Sequence, residues 1–179
     1  KTQKALAQKA GLKLINVSDD VREVFEITGF SDFLTIEWGN AIHTLIEQLE
    51  LHARENPKET VLFDETVTKG ITYEDLNELS GRVYAWLKQN GIGKEDFVLI
   101  NLTRGVLPVV AIVGILKAGA AFALVEENYA PERIEYIRKD CGCWSEINRD
   151  AWEEILKCEP LDGHEQTDDH DAAYAIYTS

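Results

Sequence analysis

The amino-acid sequence predicts an α/β fold in which helices alternate with mostly parallel strands, divided between two partial domains. Short apolar runs rich in β-branched residues alternate with longer stretches whose apolar residues recur at helical spacing. Glycine and proline residues mark the ends of these stretches. Such alternation is typical of a parallel sheet that is covered by helices on both faces. At 179 residues, the chain can form one domain with a sizeable core or parts of two.

The first 37 residues predict two helices and two strands in quick succession. TQKALAQKAG predicts a short helix that ends at Gly11, and Leu12–Val17 predicts a buried strand. Ser18 caps a second predicted helix, whose first turn carries two aspartates at the positive end of the helix dipole. FLTIE predicts the second strand. The pattern then restarts, so we divide the chain into residues 1–37 and 38–179.

The second part opens with a helix, two strands and a longer helix. An apolar stripe predicts the first helix from Ile42 to Asn56, just before Pro57. TVLFD predicts a strand, ETVTKG a turn and ITY the edge of another strand. The longer helix is predicted to end at Gly91, and its apolar face comprises Leu76, Leu79, Val83, Trp86 and Leu87.

The alternation continues to the last residues. FVLINL predicts a buried strand, Leu107–Ala118 an apolar helix and AAFALV the next strand. Pro131 occupies the favoured first position of a further helix. CWSEI predicts a short strand, Ala151–Lys157 a helix, and EPLDGHEQTDDHDA a polar loop. The aromatic and β-branched run Tyr174–Thr178 predicts a final buried strand.

One apolar stretch, Gly105–Val125, approaches the length of a membrane span. Lys117 lies inside it, and Gly119 follows as a helix stop before a strand-like run. We therefore predict a buried helix followed by a buried strand, and no membrane partner.

Charge and cysteine content limit the classes of partner. The net charge of −14 argues against nucleic acid and against anionic membranes, both of which attract clustered lysine and arginine. The opening residues contain no apolar segment typical of a secretory signal, and three sparse cysteines favour a reduced, cytoplasmic setting. The sequence contains no methionine, so it is not expected to begin at a natural initiator.

Residue chemistry alone assigns no function. Cys141 and Cys143 lack the spacing of common zinc or redox pairs, and with Cys158 they are expected to be buried structural thiols. His164 and His170 lie among acidic residues, where a solvated loop is favoured over a metal site. The sequence contains no Gly-x-Gly-x-x-Gly loop, no Walker-type loop and no Gly-x-Ser-x-Gly turn.

Three stretches, in order, resemble the core motifs of adenylate-forming enzymes, in particular the adenylation domains of nonribosomal peptide synthetases. ITYEDLNELSGRVYAWLKQNGIGKEDFVLINL resembles the first motif, in which Thr-Tyr-x-x-Leu opens a long helix. ILKAGAAFALVEENYAPERIEYI resembles the second, and AYAIYTS the opening of the third. In that family the third motif continues into a Ser/Thr/Gly-rich loop that ends in Lys-Gly. The resemblance covers about Trp38 to Ser179.

Two departures leave open whether the resemblance is to peptide synthetases or to other acyl-adenylating enzymes. The family usually has Val-Pro-(Leu/Ile)-Asp-Pro where this chain has Ala123–Glu127. Ala130 stands where the family has the proline of its Tyr-Pro pair. Lys117 and Arg133 match motif positions, and we interpret both as structural.

The resemblance implies that the intact protein activates an amino or carboxylic acid with ATP and Mg²⁺, giving an acyl-adenylate and pyrophosphate, with a carrier protein as a further partner. Only Thr178 and Ser179 carry over as site residues, at the start of the loop that holds the ATP phosphates. Backbone N–H groups in such a glycine-rich loop approach phosphate oxygens closely. No catalytic or metal-binding residue carries over. The chain alone is expected to be inactive and to hold no cofactor.

Residues 1–37 resemble a different family. The order of strand, Asn-Val-Ser, VREVFEITGF and strand resembles the C-terminal part of a STAS domain, the fold of anti-sigma-factor antagonists. The phosphorylatable serine of that family lies in an earlier helix, so Ser18 is interpreted as an N-cap. The alternative function is therefore a STAS-type module that binds a regulatory protein and is fused to a non-catalytic scaffold.

Overall fold

The first strands of the chain form a small parallel pair. In the computed structural model, β1 (Lys13–Ile15) pairs with β2 (Thr35–Glu37), and Leu14 lies opposite Ile36. Both strands were predicted. The structure describes residues 13–15, 35–37, 45–63, 70–126, 129–167 and 170–177. The two helices predicted within residues 1–37 lie outside these ranges.

The described chain divides into two compact units, residues 1–77 and 78–179. The predicted domain boundary between residues 37 and 38 stays a prediction, because residues 38–44 are not among those described.

In the first unit, a helix precedes an antiparallel strand pair. The predicted helix is observed as α1 (Leu45–Glu55), which buries Ile46 and Leu49. It is followed by β3 (Thr60–Leu62) and β4 (Ile71–Thr72), whose register shifts between Thr60 and Leu62.

The long helix α2 (Tyr73–Gln89) begins three residues before the first apolar residue that predicted it. A reciprocal cap at its start explains the difference. The Asp75 carboxylate accepts hydrogen bonds from the Thr72 backbone N–H at 3.0 Å and from its hydroxyl at 2.7 Å. The Thr72 hydroxyl accepts one from the Asp75 backbone N–H at 3.1 Å. The pair satisfies N–H groups that a helix start leaves without partners.

The second unit is built on a four-stranded parallel sheet. Its strands are β5 (Phe97–Ile100), β6 (Ala121–Leu124), β7 (Ser145–Ile147) and β8 (Tyr174–Ala175), in the order β7-β5-β6-β8. All three neighbouring pairs are parallel. The predicted α/β class with mostly parallel strands is confirmed.

Three helices connect these strands. They are α3 (Val106–Lys117), α4 (Pro131–Asp140) and α5 (Arg149–Ile155). The chain passes from β5 to its neighbour β6, crosses back to β7 and returns to β8. Because such crossovers are right-handed, α4 covers one face of the sheet, and α3 and α5 cover the other. The core cluster on the α4 face comprises Leu99, Ala123, Val125, Ile137 and Cys143.

The long apolar stretch is part of the core, as predicted. It forms α3 and β6, and the Lys117 side chain within it is buried. Gly114 allows α3 to pack closely on α2, since a Cβ atom there would lie 2.4 Å from Cβ of Val83. Within the described ranges, no helix combines the length and the apolar character needed to cross a bilayer.

The expectation of structural thiols is wrong for two of the three cysteines. Cys141 and Cys143 form a disulfide across the turn after α4, with Cα atoms 5.4 Å apart. The turn needs Gly142, whose φ of +65° is costly for other residues. Cys158 is a free, buried thiol, as expected.

The last strand is present but less buried than predicted. It spans Tyr174–Ala175, and both residues are half-buried. Ile176, next along the chain, is 44% exposed. The reason is topological, since β8 lies at an edge of the described sheet and pairs with β6 on one side.

Candidate functional site

The carboxyl ends of the parallel strands lie along one edge of the sheet, which we call the carboxyl edge. The chain leaves β5 toward one face and β6 toward the other, so a topological switch point lies between these two strands. In open α/β sheets, ligands bind in the crevice beside such a point. β8 lies next to β6 and reaches the same edge.

The predicted site residues Thr178 and Ser179 directly follow the last described residue, Tyr177. Their own positions lie outside the described residues. The structure therefore describes the strand that leads to them and the contacts of Tyr177.

Cross-strand contacts hold β8 in register. Tyr174 lies opposite Phe122 of β6, and their ring centroids are 6.0 Å apart. The backbone N–H of Phe122 donates a hydrogen bond of 3.1 Å to the Ala173 carbonyl. Aromatic pairs of this kind are typical stabilising contacts between strands. They fix where β8 reaches the carboxyl edge.

Tyr177 attaches the exit of β8 to helix α4. Its hydroxyl donates a hydrogen bond of 2.8 Å to the Asp140 carboxylate. Its ring meets the Tyr136 ring edge-on, with centroids 6.5 Å apart, and it also packs against the core cluster of the α4 face. The Arg133 guanidinium lies 5.7 Å from the centroid of the Tyr136 ring, within cation–π range.

The pKa of Tyr177 is raised from 10 to about 12. Burial is the largest cause, followed by the hydrogen bond to Asp140 and by the charge of that carboxylate. Tyr177 therefore keeps its proton at neutral pH and serves as a hydrogen-bond donor.

Charged and amide side chains follow the two strands at the switch point. Arg104, after β5, lies 2.9 Å from the Glu126 carboxylate, after β6, and both side chains are exposed. The Asn101 amide donates a hydrogen bond of 2.9 Å to Glu146, which also pairs with Arg138. The interpretation from sequence missed these polar side chains, because they come from four separate segments and form no motif.

The opposite edge of the sheet carries a segment that the sequence predicted as a polar loop from Glu159 onward; its first residues, Leu156 and Lys157, were predicted as helix but lie beyond the end of α5 at Ile155. We call residues 156–167 the amino-edge segment. The Arg82 guanidinium donates hydrogen bonds to the carbonyls of Leu156 at 3.1 Å and Cys158 at 2.6 Å. The Leu161 backbone N–H donates a hydrogen bond of 3.1 Å to the Gly81 carbonyl.

Glu165 holds the far end of this segment. Its carboxylate accepts hydrogen bonds of 2.8 Å from the Tyr84 hydroxyl and the Lys88 ammonium. Its backbone N–H donates to the Lys117 carbonyl at 2.8 Å. The hydrogen bond from Lys88, then that from Tyr84, lowers the pKa of Glu165, and burial followed by this bond raises the pKa of Tyr84 to about 12.

The described residues contain no cluster of three or more histidine, cysteine, aspartate or glutamate side chains that could hold a metal ion. His164 and His170 therefore form no such cluster within the described part of the chain.

The carboxyl edge provides hydrogen-bonding and charged groups around a strand exit, an arrangement suited to binding and orienting a ligand.

The family model described as "AMP-binding enzyme" matches residues 49–179. The chain belongs to this family. The three motifs that resembled adenylate-forming enzymes lie within the matched range, so the predicted family is confirmed. The match includes β8 and ends on Thr178 and Ser179.

Curated relatives of this chain include two bacterial synthases. Bacitracin synthase 1 of Bacillus licheniformis is 32% identical over 158 residues, 79% of this chain. Tyrocidine synthase 3 of Brevibacillus parabrevis is 33% identical over 116 residues, 64% of this chain. The chain spans 3% of the length of the first and 2% of the length of the second.

Among solved structures, the N-terminal subdomain of Klebsiella oxytoca NpsA, in complex with 3-hydroxyanthranilyl-AMSN, has the same fold. The TM-score is 0.67 at 19% identity, and the match covers 77% of this chain and 38% of that chain.

Proposed function

We propose that this chain forms the N-terminal part of an adenylation domain that activates an amino or carboxylic acid with ATP. The observation that carries the proposal is the family match over residues 49–179, which contains all three motifs in order. In the proposed reaction, a carboxylate oxygen of the acid attacks the α-phosphorus of ATP. The bond from that phosphorus to the oxygen bridging the β-phosphate breaks, and the products are an acyl-adenylate and pyrophosphate.

We assign the start of the ATP-phosphate loop to Thr178 and Ser179. Support comes from their place in the chain, directly after a strand that reaches the carboxyl edge. Hydroxyl groups there would donate hydrogen bonds to phosphate oxygens, as backbone N–H groups do in phosphate-binding loops. Mg²⁺ would accompany ATP and offset the negative charge of its phosphates.

The remaining parts of the catalytic apparatus would come from outside this chain. The match to the solved subdomain covers 38% of that protein, and the curated relatives are far longer. We therefore propose that the intact protein contains the rest of the loop and the acid pocket, and transfers the acyl group to the thiol of a carrier protein. The chain alone would be inactive. We also propose a cytoplasmic location, where ATP is abundant; the use of ATP supports it, whereas the disulfide between Cys141 and Cys143 removes the support from reduced thiols.

The STAS-like assignment of residues 1–37 stays a prediction, because the family match begins at residue 49. The parallel pairing of β1 with β2 is compatible with it. The alternative of a STAS-type regulatory module on a non-catalytic scaffold has no support from the relatives, which include peptide synthetases.

The test is ATP–pyrophosphate exchange by the full-length protein, screened across amino and aryl acids. We expect exchange with a narrow set of acids and background rates when acid is omitted. Thr178→Ala combined with Ser179→Ala should reduce exchange by about tenfold or more, since each lost hydrogen bond to a charged oxygen weakens binding. Absence of exchange with every acid, from a folded protein, would refute the proposed function.

A further inference from the structure

We propose that Tyr177 and Asp140 are a positioning pair that sets the entry to the ATP-phosphate loop. The inference rests on the proposed function, because it gives this hydrogen bond a role in ATP binding. The two residues are 37 positions apart, and their side-chain oxygens lie 2.8 Å from one another. Tyr177 is the last described residue before Thr178, so the position of its backbone limits where Thr178 can lie.

The pairing of β8 with the sheet ends before Tyr177. Its described register pairs Tyr174 and Ala175 with Phe122 and Ala123. Beyond that point the side chain of Tyr177 supplies further attachment, through Asp140, the Tyr136 ring and the core cluster. These contacts link the residue that precedes the proposed loop to α4 and to the core beneath it.

Asp140 lies on the last turn of α4, and Tyr136 one turn before it, so both contacts come from one face of a single helix. The helix itself is anchored through Ile137, which is fully buried in the core cluster between these two residues. This face of α4 presents an acceptor, the Asp140 carboxylate, and the Tyr136 ring. The two contacts together fix the position and the orientation of the Tyr177 side chain. Orientation of this kind contributes to binding through pre-organisation.

Tyr84 offers a matched control within the same unit. Its hydroxyl also donates a 2.8 Å hydrogen bond to a carboxylate, that of Glu165, and its pKa is likewise raised to about 12. This bond attaches the amino-edge segment, away from the exit of β8. Removing either bond deletes one tyrosine–carboxylate contact, and only the contact of Tyr177 involves the residue that precedes Thr178.

The experiment compares Tyr177→Phe, Asp140→Ala, Asp140→Asn and Tyr84→Phe in the full-length protein by ATP–pyrophosphate exchange. Tyr177→Phe and Asp140→Ala should each raise the KM for ATP by roughly three- to tenfold, the effect of one lost hydrogen bond, with less change in kcat. Asp140→Asn retains an acceptor oxygen and should restore most of the wild-type KM. The double variant Tyr177→Phe/Asp140→Ala should be no worse than either single variant.

A purely structural role predicts a different pattern. Tyr84→Phe would then raise the KM for ATP as much as Tyr177→Phe, or neither would change it, and either result overturns the proposal. The proposal would also be overturned if Asp140→Asn raised the KM for ATP as much as Asp140→Ala and if the effects of Tyr177→Phe and Asp140→Ala added in the double variant.

Amide hydrogen exchange gives a readout that does not need activity. Residues 174–177 should exchange several-fold faster in Tyr177→Phe and Asp140→Ala than in wild type, and at the wild-type rate in Tyr84→Phe. Unchanged exchange in these residues would refute the positioning pair itself. If wild-type protein catalyses no exchange of pyrophosphate, the proposed function fails and the role in ATP binding fails with it. The hydrogen-exchange result would then still decide whether the bond fixes the strand exit.

Discussion

At the amino edge of the four-stranded sheet, residues 156–167 are attached to α2 and to the end of α3 by backbone and charged contacts. At the carboxyl edge, the exit of β8 is attached to α4 through Tyr177. The first region carries five described hydrogen bonds to Gly81, Arg82, Tyr84 and Lys88, and a further one to the Lys117 carbonyl. The second carries the bond between Tyr177 and Asp140.

The two segments are therefore attached in different ways. Multiple contacts to backbone carbonyls leave the amino-edge segment little freedom, because several must break before it moves. The exit of β8 combines one described side-chain hydrogen bond with a ring contact and core packing, so losing that bond should change the position of Tyr177.

Gly81→Ala should have the largest effect on stability, because it disturbs the packing of the amino-edge segment on α2. A methyl group at position 81 would lie 2.7 Å from the Leu161 carbonyl oxygen and 3.2 Å from the Pro160 Cβ atom. We expect a loss of about 1–3 kcal/mol in the free energy of unfolding, because the segment must move away from α2. Urea denaturation measures this loss. Gly93→Ala, whose methyl group would meet only the Ala118 carbonyl oxygen at 3.9 Å, is the control and should be nearly neutral.

Two arginines test whether the edges differ in stability. Arg82→Ala removes hydrogen bonds to two carbonyls at the end of α5 and should cost about 1–2 kcal/mol. Arg104→Ala removes an ion pair at the carboxyl edge whose arginine side chain is 87% exposed, and should cost less than about 0.5 kcal/mol. The midpoints of thermal unfolding report both. Equal losses would contradict the distinction between the edges.

At alkaline pH, the free energy of unfolding should fall as one tyrosine at each edge loses its proton. Tyr84 and Tyr177 each have a pKa raised from 10 to about 12, so folding favours their protonated forms. Their contribution is fully present below pH 10 and is lost as the pH rises from 10 through 12. Urea unfolding at several pH values should show a smaller alkaline loss in Tyr84→Phe and in Tyr177→Phe than in wild type. An unchanged slope in both variants would contradict the raised pKa values of the two hydroxyls.

At acid pH, the free energy of unfolding should fall as Glu165, at the amino edge, becomes protonated. The pKa of Glu165 is lowered from 4.5, so its contribution is present above that pH and is lost as the pH falls through the lowered value. Glu165→Gln should flatten the acid limb of the same profile. The effect should be small, because the carboxylate is 41% exposed and solvent screens its charge. An acid limb that is unchanged in Glu165→Gln would contradict the described contacts of this residue.

Local signals in the sequence predicted much of this fold. Apolar spacing predicted α2 and α3, Pro131 marked the start of α4, and the ordered motifs indicated the family. Apolar spacing marks α2 only from Leu76, whereas the cap by Thr72 and Asp75 starts the helix at Tyr73, within the Thr-Tyr pair of the first motif.

Contacts between distant residues were beyond such reasoning. Tyr84 and Glu165 are 81 positions apart, and no periodicity links them. The disulfide between Cys141 and Cys143 likewise depends on the turn geometry after α4, which the spacing of the two residues does not determine. The half-burial of β8 follows from strand order, another property that no single segment encodes.

The assignment of the ATP site to the exit of β8 is tested most directly by amide hydrogen exchange of the full-length protein with and without ATP and Mg²⁺. Residues 174–179 at the carboxyl edge should become several-fold more protected when ATP is added, whereas residues 156–167 at the amino edge should exchange at the same rate in both states. Protection of the amino-edge segment without protection of residues 174–179 would contradict the assignment of the ATP site to the exit of β8.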